Sequence, residues 1–409
     1  MPDPVGRWRA NWRIINSRDV NDFFMSARTA KAEATVGETD SPAANDLEEL
    51  AFRFGRTYDG YLATEAGLKQ FWSSNGKGVV AYAQIGRYVH VQGGLLCEAA
   101  DRLALLREFH EFARQQRLVV TFYNAPEEDL PLFREQGFQV TKWGEEPLLD
   151  LPALTWAGGT YEWVRRQFHY CQRQKIQFTE CRREDYSDAE WESVLNDIRA
   201  VAAEGLQTKP QREEIWFFNG RFDPPNWGRR RLFLAKADNG TGRTEGFLVC
   251  LPFQDGTHWA IETYRHRLDA PRGLVPFMIH QCVERMRPEG IQCVSLCLCP
   301  AVRCEALPND SRLVRRGLQF GFNYASIFFD LPGEYHFKSR FRPRFVRRYI
   351  CHSPRATVRS MWSLVRISGV LTFDFRKLGS ALWSRIRRPK SRSHLATPST
   401  TPVSTEPRT

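Results

Sequence analysis

No stretch of this chain stays apolar long enough to cross a bilayer, and the opening Met-Pro-Asp-Pro-Val-Gly-Arg-Trp-Arg lacks the apolar core of a signal peptide. The expectation is a cytoplasmic protein, peripheral at the inner face of a membrane. Its ten cysteines include no paired CxxC and no closely following histidine pair, which excludes the usual zinc frameworks. Five of them fall between Cys282 and Cys304, on what reads as a helix and a buried strand, a pattern of reduced packing thiols and not of a disulfide framework. Cys297 and Cys299 alternate on that strand and share a face, without enough partners for a metal. His169, His258 and His336 are scattered, and no GxSxG nucleophile motif lies beside them. Acidic residues are in short supply, 47 against 58 Lys and Arg, for a formal net charge of +11. A polyanion, nucleic acid or anionic membrane, is the partner class this favours.

What is present is enough apolar material for two cores: 409 residues, 42% hydrophobic and 13% aromatic. Residues 1–57 read as an extension with a Ser/Pro/Asn/Asp-rich patch near Ser41–Asp46. From Tyr58 one pattern occurs twice. In the first copy, a strand near Tyr88–Gln92 runs into a Gly93-Gly94 turn and a helix with Leu105, Phe109, Phe112 and Ala113 on one face. A buried strand, Val119–Tyr123, a helix closing on Gly137-Phe138 and a strand ending Leu149-Asp150-Leu151-Pro152 follow. In the second copy, strands at Leu232–Lys236, Gly246–Pro252 and His258–Tyr264 lead through Asp269-Ala270-Pro271-Arg272-Gly273 into a helix carrying Ile279, Cys282, Val283 and Met286. A strand at Cys293–Cys299, a helix closing on Gly321-Phe322 and a strand ending Phe329-Asp330-Leu331-Pro332 complete it.

The expected fold class is α/β (α+β): tandem modules with mixed sheets that resemble the GNAT acyltransferase fold, at 58–155 and 156–350. In that fold a helix N-terminus faces a phosphorylated carrier, and a glycine lets backbone approach it. From Arg347 to Arg388 nine arginines and one lysine stand against the single acid Asp374. Val358, Met361, Trp362 and Val365 form one apolar stripe, and Leu378, Ala381, Leu382 and Ile386 form another beside Trp383. Residues 351–388 thus read as a basic amphipathic helical tail at a membrane interface, with Trp362, Arg359, Arg366 and Trp383 as its contacts. A tail helix packing on the protein, with its arginines in solvent, fits the same pattern. Residues 389–409 read as disordered.

Taken in order, several segments resemble the C-terminal catalytic region of the phosphatidylglycerol lysyltransferase family, also called multiple peptide resistance factors. Gly144-Glu145-Glu146, Leu149-Asp150-Leu151 and Arg165-Arg166 are similar to its GEE…DL…R segment. Ile261-Glu262-Thr263-Tyr264-Arg265-His266 with Pro271 and Gly273 resembles its DLMRH…P.G motif. Ser295–Pro300 resembles its strand ending in Ala-Pro, and Phe337-Lys338-Ser339-Arg340-Phe341-Arg342-Pro343 with Arg348-Tyr349 its F-K-x-K-F-x-P…R-Y ending. The likeness covers about Tyr58 to Ile350. Glu262 replaces the family aspartate, Pro276 an acidic residue, and Phe345-Val346 a Trp-Glu pair. The resemblance is to stand-alone relatives without the membrane-embedded flippase region, some of which act on other lipids, sterols included.

The resemblance implies an aminoacyl-tRNA-dependent aminoacyltransferase that esterifies a membrane-lipid hydroxyl, phosphatidylglycerol-like, with aminoacyl-tRNA and an anionic membrane lipid as partners and no cofactor or metal. An aminoacyl ester is already activated, so the site must position it, handle one proton and stabilise an oxyanion. Alternation places Glu262, Tyr264 and His266 on one strand face and Arg265 and Arg267 on the other. Glu262 and Arg265 are the expected catalytic residues. Glu262 would meet the aminoacyl ammonium or handle the proton, and Arg265 a phosphate or the terminal ribose. Tyr264, His266 and Gly273 would line the substrate, and Arg165, Arg166, Lys338 and Arg340 would contact phosphates. Glu262 and Arg265 as a structural ion pair is the plainer alternative. A Fem-type or acyl-CoA-dependent N-acyltransferase and a non-catalytic tRNA- or membrane-binding protein are the rival functions.

Overall fold

The computed structural model describes residues 42–207, 216–224, 226–238, 242–324 and 330–368. Twelve strands among them form a single sheet, ordered β1-β2-β3-β4-β12-β5-β10-β9-β8-β7-β6, with β11 paired to β5. The first module supplies β1 (Lys69–Trp72), β2 (Val79–Ile85) and β3 (Tyr88–Leu96) as an antiparallel set. Helix α1 (Pro42–Phe54) precedes them, and α2 (Arg102–Gln115) carries the chain over to β4 (Val119–Pro126), parallel to β3. A parallel neighbour requires such a crossover. Helix α3 (Leu130–Glu135) and β5 (Gln139–Asp150) follow.

Helix α4 (Glu162–Arg173), β6 (Ile176–Cys181), α5 (Asp188–Gln207) and the short α6 (Trp216–Asn219) open the second module. Its repeat is β7 (Arg231–Ala237), β8 (Thr244–Phe253) and β9 (His258–His266), then α7 (Leu274–Met286) and β10 (Cys293–Ser295), parallel to β9. After β11 (Cys299–Pro300) come α8 (Arg312–Tyr324), α9 (Leu331–Ser339), β12 (Arg344–Ser353) and α10 (Val358–Ile367). The tandem GNAT-like α/β architecture expected from the sequence is the one observed.

The two modules exchange their last strands. β5 leaves the first module to pair with β10, while β12 returns from the second and lies between β4 and β5. Arg348 on β12 seals the exchange: its Nε lies 2.6 Å from Glu146 Oε2 of β5, and both residues are buried. Apolar periodicity accounts for the layers. Leu105, Leu106, Phe109 and Ala113 of α2 cover β3, β4 and β12, and Phe277, Met278, Cys282, Val283 and Met286 of α7 cover the second module with α4 beside them. Trp191, Val194, Ile198 and Val201 of α5 cover the opposite face of β7 and β8.

Four local expectations are corrected. Gly93-Gly94 is no strand-to-helix turn but a bulge inside β3, where the register jumps from Ala81↔Gln92 to Val79↔Leu96. The Asp330-Leu331-Pro332 segment starts α9: the Asp330 carboxylate accepts from Gly333 N at the helix cap. Residues 325–329, where the expected strand ran, lie outside the described residues, among which the last strand is β12. The strand at Cys293 stops at Ser295 and the chain turns at Cys297 (φ 62°), so Cys297 and Cys299 are not neighbours on a strand face. All ten cysteines are free, and every one but Cys297 is buried. Finally, α1 lies in the segment read as an extension yet packs Leu47 and Ala51 against Tyr61 of the first module and Leu251 of β8 in the second.

The C-terminal helix is docked as well as exposed. Ser360, Ser363 and Ile367 of α10 are buried, and His90 of β3 bridges Ser363 Oγ (2.9 Å) and Tyr123 OH (2.7 Å). The apolar stripe therefore divides: Met361 packs inward, while Val358 and Trp362 are 70% and 51% exposed. Arg359 and Arg366 are exposed beside them. Trp383 and the second stripe lie outside the described residues.

Candidate functional site in the second module

In each module the parallel strand pair stops early and its two members splay apart. Pairing of β3 with β4 runs from Tyr88↔Val119 to Val91↔Phe122, and that of β9 with β10 from His258↔Cys293 to Ala260↔Ser295. Beyond those points each pair opens into a V.

The first V is filled by its own chain. Gly93 (φ 79°) comes so close to Gly60 that a Cβ there would lie 2.8 Å from the Gly60 carbonyl oxygen. Thr57 Oγ1 (2.6 Å) and Asn124 Nδ2 (2.8 Å) both donate to the buried carboxylate of Asp59, and Asn124 also reaches Tyr58 OH. The cavity left is about 20 Å³, room for about one water molecule. Gly93 thus admits this chain's own backbone.

The second V carries chemistry. β9 runs past β10, and its register bulges at Glu262, the extra residue between Cys250↔Ile261 and Val249↔Thr263. The bulge interrupts the regular alternation of faces expected along β9. Arg265 acts electrostatically on both Glu262 and Tyr264. Thr263 Oγ1 donates to Glu262 Oε2, whereas Oε1 is sealed from solvent and has no hydrogen-bond partner among the described residues. Burial, only partly opposed by Thr263 and Arg265, pushes the Glu262 carboxyl up to about 8. It is a carboxylic acid near neutrality, the environment of a working acid or ligand group.

Lys338 closes the other side, and not as a surface phosphate contact. Its Nζ is buried, donates to the Cys297 and Leu298 carbonyls at 3.2 Å each, and lies 2.6 Å from Glu334 Oε1. Burial works against its charge, yet Glu334 above all holds the ammonium above its usual range. Lys338 therefore fixes the turn at Cys297, whose thiol, pushed up by burial, donates to the Ile261 carbonyl at 3.3 Å. Tyr264 feels both Lys338 and Arg265, and its ring lies tilted to that of Phe337, 6.3 Å between ring centres. Arg265 thus acts on both Glu262 and Tyr264, and Lys338 on Tyr264.

The remaining expected residues do not join them. His266 ends β9 in solvent, its Nδ1 2.7 Å from the Arg267 carbonyl. Gly273 (φ 84°) caps α7, but a Cβ there would lie 2.1 Å from Gln167 Oε1, so α4 occupies the approach reserved for a ligand. Arg165 donates to the Trp156 and Gly158 carbonyls at 2.7 Å and holds the inter-module segment. Arg166 is exposed, 3.7 Å from Glu162, and Arg340 lies 3.7 Å over the Trp163 ring. Those two remain open to a phosphate.

Sequence reading missed two groups. One is the buried pair Glu65–Arg230 (3.0 Å), whose two charges act on Glu262 in opposite senses. The other is the Glu146 clamp, in which Ser295 Oγ (2.6 Å) joins Arg348 on one carboxylate. Glu146, Ser295 and Arg348 were all within the family-like segments, so the signal was there without its meaning. A wider opening of about 360 Å³ lies at the exchanged strand, lined in part by Arg56, His258, Arg344 and Arg347 against Glu127 and Glu128.

Tandem GNAT-like modules with exchanged terminal strands and a polar V in the second define a two-module acyltransferase-type fold. Residues 47–352 match the family model described as phosphatidylglycerol lysyltransferase, C-terminal, and the chain belongs to that family. It is 24% identical to the phosphatidylglycerol lysyltransferase of Bacillus subtilis over 305 residues, which are 74% of this chain and 34% of the relative. A Staphylococcus aureus phosphatidylglycerol lysyltransferase is 26% identical over 206 residues, 50% of this chain and 23% of the relative. The match thus spans about a third or less of these relatives' length. Among solved structures, L-PGS from Bacillus licheniformis superposes with a TM-score of 0.67 at 21% identity, covering 83% of this chain and 98% of that one. The C-terminal domain of a lysylphosphatidylglycerol synthetase candidate from Agrobacterium fabrum gives 0.66 at 20% identity, covering 81% and 98%.

Proposed function

We propose that the chain moves an aminoacyl group from charged tRNA onto a hydroxyl of a membrane lipid, phosphatidylglycerol-like, in the V of the second module. The observation that carries this reading is Glu262 at the bulge of β9, its Oε1 buried without a hydrogen-bond partner among the described residues, whereas the corresponding place in the first module is filled by Asp59 and Asn124. A sealed carboxyl of raised pKa suits an arriving ammonium, which restores its charge and replaces the solvent it lost. Arg265 beside it offsets negative charge on the carrier end or on the developing oxyanion. The lipid oxygen attacks the ester carbonyl, the new C–O bond forms as the bond to the ribose oxygen breaks, and the hydroxyl proton ends on that ribose oxygen. No covalent enzyme intermediate is needed.

Membrane association follows from α10, which holds Trp362, Val358, Arg359 and Arg366 outward while its other face is pinned to the first module. The cleft at Arg344 and Arg347, with Arg166 and Arg340, supplies cations for phosphates. The test is reconstitution with phosphatidylglycerol vesicles and a mixture of charged tRNAs. The expected product is an aminoacylated lipid cleaved by mild base, as an ester is and an amide is not, and ribonuclease should stop its formation. Product formed from an acyl-CoA in the presence of ribonuclease would leave a general acyltransferase instead.

A further inference from the structure

We infer that α8 and α10 together form one face that lies on an anionic membrane, so that the bilayer contact extends to the helix packed beside Lys338. This rests on the membrane contact proposed above for α10 and adds α8 to it. The two helices belong to one layer: Val314 of α8 and Ile367 of α10 share an apolar cluster with Tyr123 and Ile350, on the side of the first-module sheet away from α2. Their starts meet at Gln139 of β5. Its Nε2 donates to the Asp310 carbonyl (3.3 Å), just before α8, and its Oε1 accepts from Ala356 N (3.4 Å), just before α10.

Both helices turn apolar side chains outward. Leu313 and Phe320 of α8 are 40% and 64% exposed, and with Val358 and Trp362 of α10 they make up four of the six large apolar residues exposed among the described ones. Such gathering on one layer, and not exposure as such, marks a contact surface. Arginines stand among them: Arg312 and Arg316 on α8, Arg359 and Arg366 on α10, all exposed, and neither helix contains an acidic residue. Sequence next to this layer does not reverse the sign: 325–329 carries no charge, 208–215 balances Lys209 and Arg212 against Glu213 and Glu214, and 369–409 holds eight Lys and Arg against two acids. The centre of a protein–protein contact sheds charge. Aromatic and aliphatic side chains interleaved with arginine fit the headgroup level of a bilayer, where the apolar groups enter the acyl boundary and the guanidiniums stay with the phosphates. On its other side α8 packs against α9, the helix that carries Lys338, so a bilayer seated on α8 comes close to the candidate site.

The test is co-sedimentation of the full chain with vesicles of phosphatidylcholine, alone or mixed with phosphatidylglycerol. Leu313→Ser with Phe320→Ser, and separately Arg312→Gln with Arg316→Gln, should each weaken binding to the mixed vesicles by about fivefold or more and leave the melting temperature unchanged. Arg312→Lys with Arg316→Lys should bind as the parent does, because a membrane surface reads charge and not the guanidinium fork. Parental binding by the serine or the glutamine pair would overturn the inference. So would a lowered melting temperature of the serine pair, which would show the chain's own residues covering Leu313 and Phe320, or a parent dimer that this pair splits in sedimentation velocity, which would put a second copy there. Trp362→Ala with Arg359→Ala on α10 separates the two claims: if it alone weakens binding, only the role of α8 falls, and if neither helix matters, the membrane contact proposed above falls as well. Transfer to phosphatidylglycerol dispersed in detergent judges the reaction by itself, and the serine pair should leave it at the parent's rate; a loss there as large as on vesicles would overturn the docking role of α8.

Discussion

Gln92 and Glu262 hold corresponding positions in the two modules, each four residues beyond the strand residue that opens the parallel pairing, Tyr88 in one and His258 in the other, and each has a buried Oε1 without a hydrogen-bond partner. In the first module Asp59 and Asn124 plug the V; in the second Arg265 acts on the Glu262 carboxyl and, with Lys338, on Tyr264. The two modules thus place an amide and a carboxyl at one strand position.

Glu262 should make stability depend on pH in a defined direction. Its folded pKa, about 8, lies above the ordinary 4.5, so between these values the unfolded chain has released a proton that the folded one still holds. Stability contributed by the neutral carboxyl is therefore full below about 4.5 and lost as pH rises through about 8. Glu262→Gln, neutral at every pH, should match the parent near pH 5 and melt a few degrees higher at pH 9. Parallel melting curves across that range would mean that the carboxyl is solvated.

Lys338→Met keeps the apolar stem and removes the ammonium. The Cys297 and Leu298 carbonyls then lose their donor and Glu334 its partner. A loss of about 2–3 kcal/mol in urea unfolding is expected, moderated because Glu334 can relax toward water. Transfer should fall more than about tenfold as the rim at Cys297 loosens. A variant as stable as the parent would place Lys338 in solvent.

The exchanged strand can be tested through its buried clamp. Glu146→Gln or Arg348→Met alone leaves an uncompensated buried charge or its partner, with an expected cost of about 3–5 kcal/mol. The double variant should cost less than the sum of the two, because each single change already breaks the same contact. Additive losses would show the two residues acting independently.

Two truncations separate the roles of the C-terminal helix. Ending the chain after Ser368 keeps α10, whereas ending it before Arg355 strips Ser360, Ser363 and Ile367 from the first module and orphans His90 Nε2. The shorter protein should be the less stable of the two in thermal melts. Trp362→Ala with Arg359→Ala, both exposed, should leave melting unchanged and reduce binding to anionic vesicles severalfold. Unaltered vesicle binding would take α10 out of the membrane contact.

Much of this was legible in the sequence because it is local. The stripes of α2 and α7 and the strands β7, β8 and β9 announce themselves by period, and the repeat follows from their order. Strand exchange was not legible: β5 and β12 have the same apolar pattern whichever module they join, and pairing order is set by the whole sheet. The echo of Asp-Leu-Pro in the second copy misled, since an aspartate two residues before proline can equally cap a helix, as Asp330 does. Lys338 and Arg165 read as phosphate contacts because sequence does not reveal which lysine finds two carbonyls and a carboxylate in the interior, or which arginine two carbonyls. Glu262, Tyr264 and Arg265 were found through the family-like motif, whereas their supporting pair, Glu65–Arg230, lies in segments without one.

The most direct measurement is transfer of radiolabelled aminoacyl groups from charged tRNA to lipid vesicles by the parent, Glu262→Gln and the isosteric Gln92→Met, each confirmed folded by its melting curve at pH 7. Loss of more than about tenfold in Glu262→Gln with near-parental transfer in Gln92→Met is the expected result. Near-parental transfer in Glu262→Gln, or an equal loss in Gln92→Met, would contradict the assignment of the reaction to the second module.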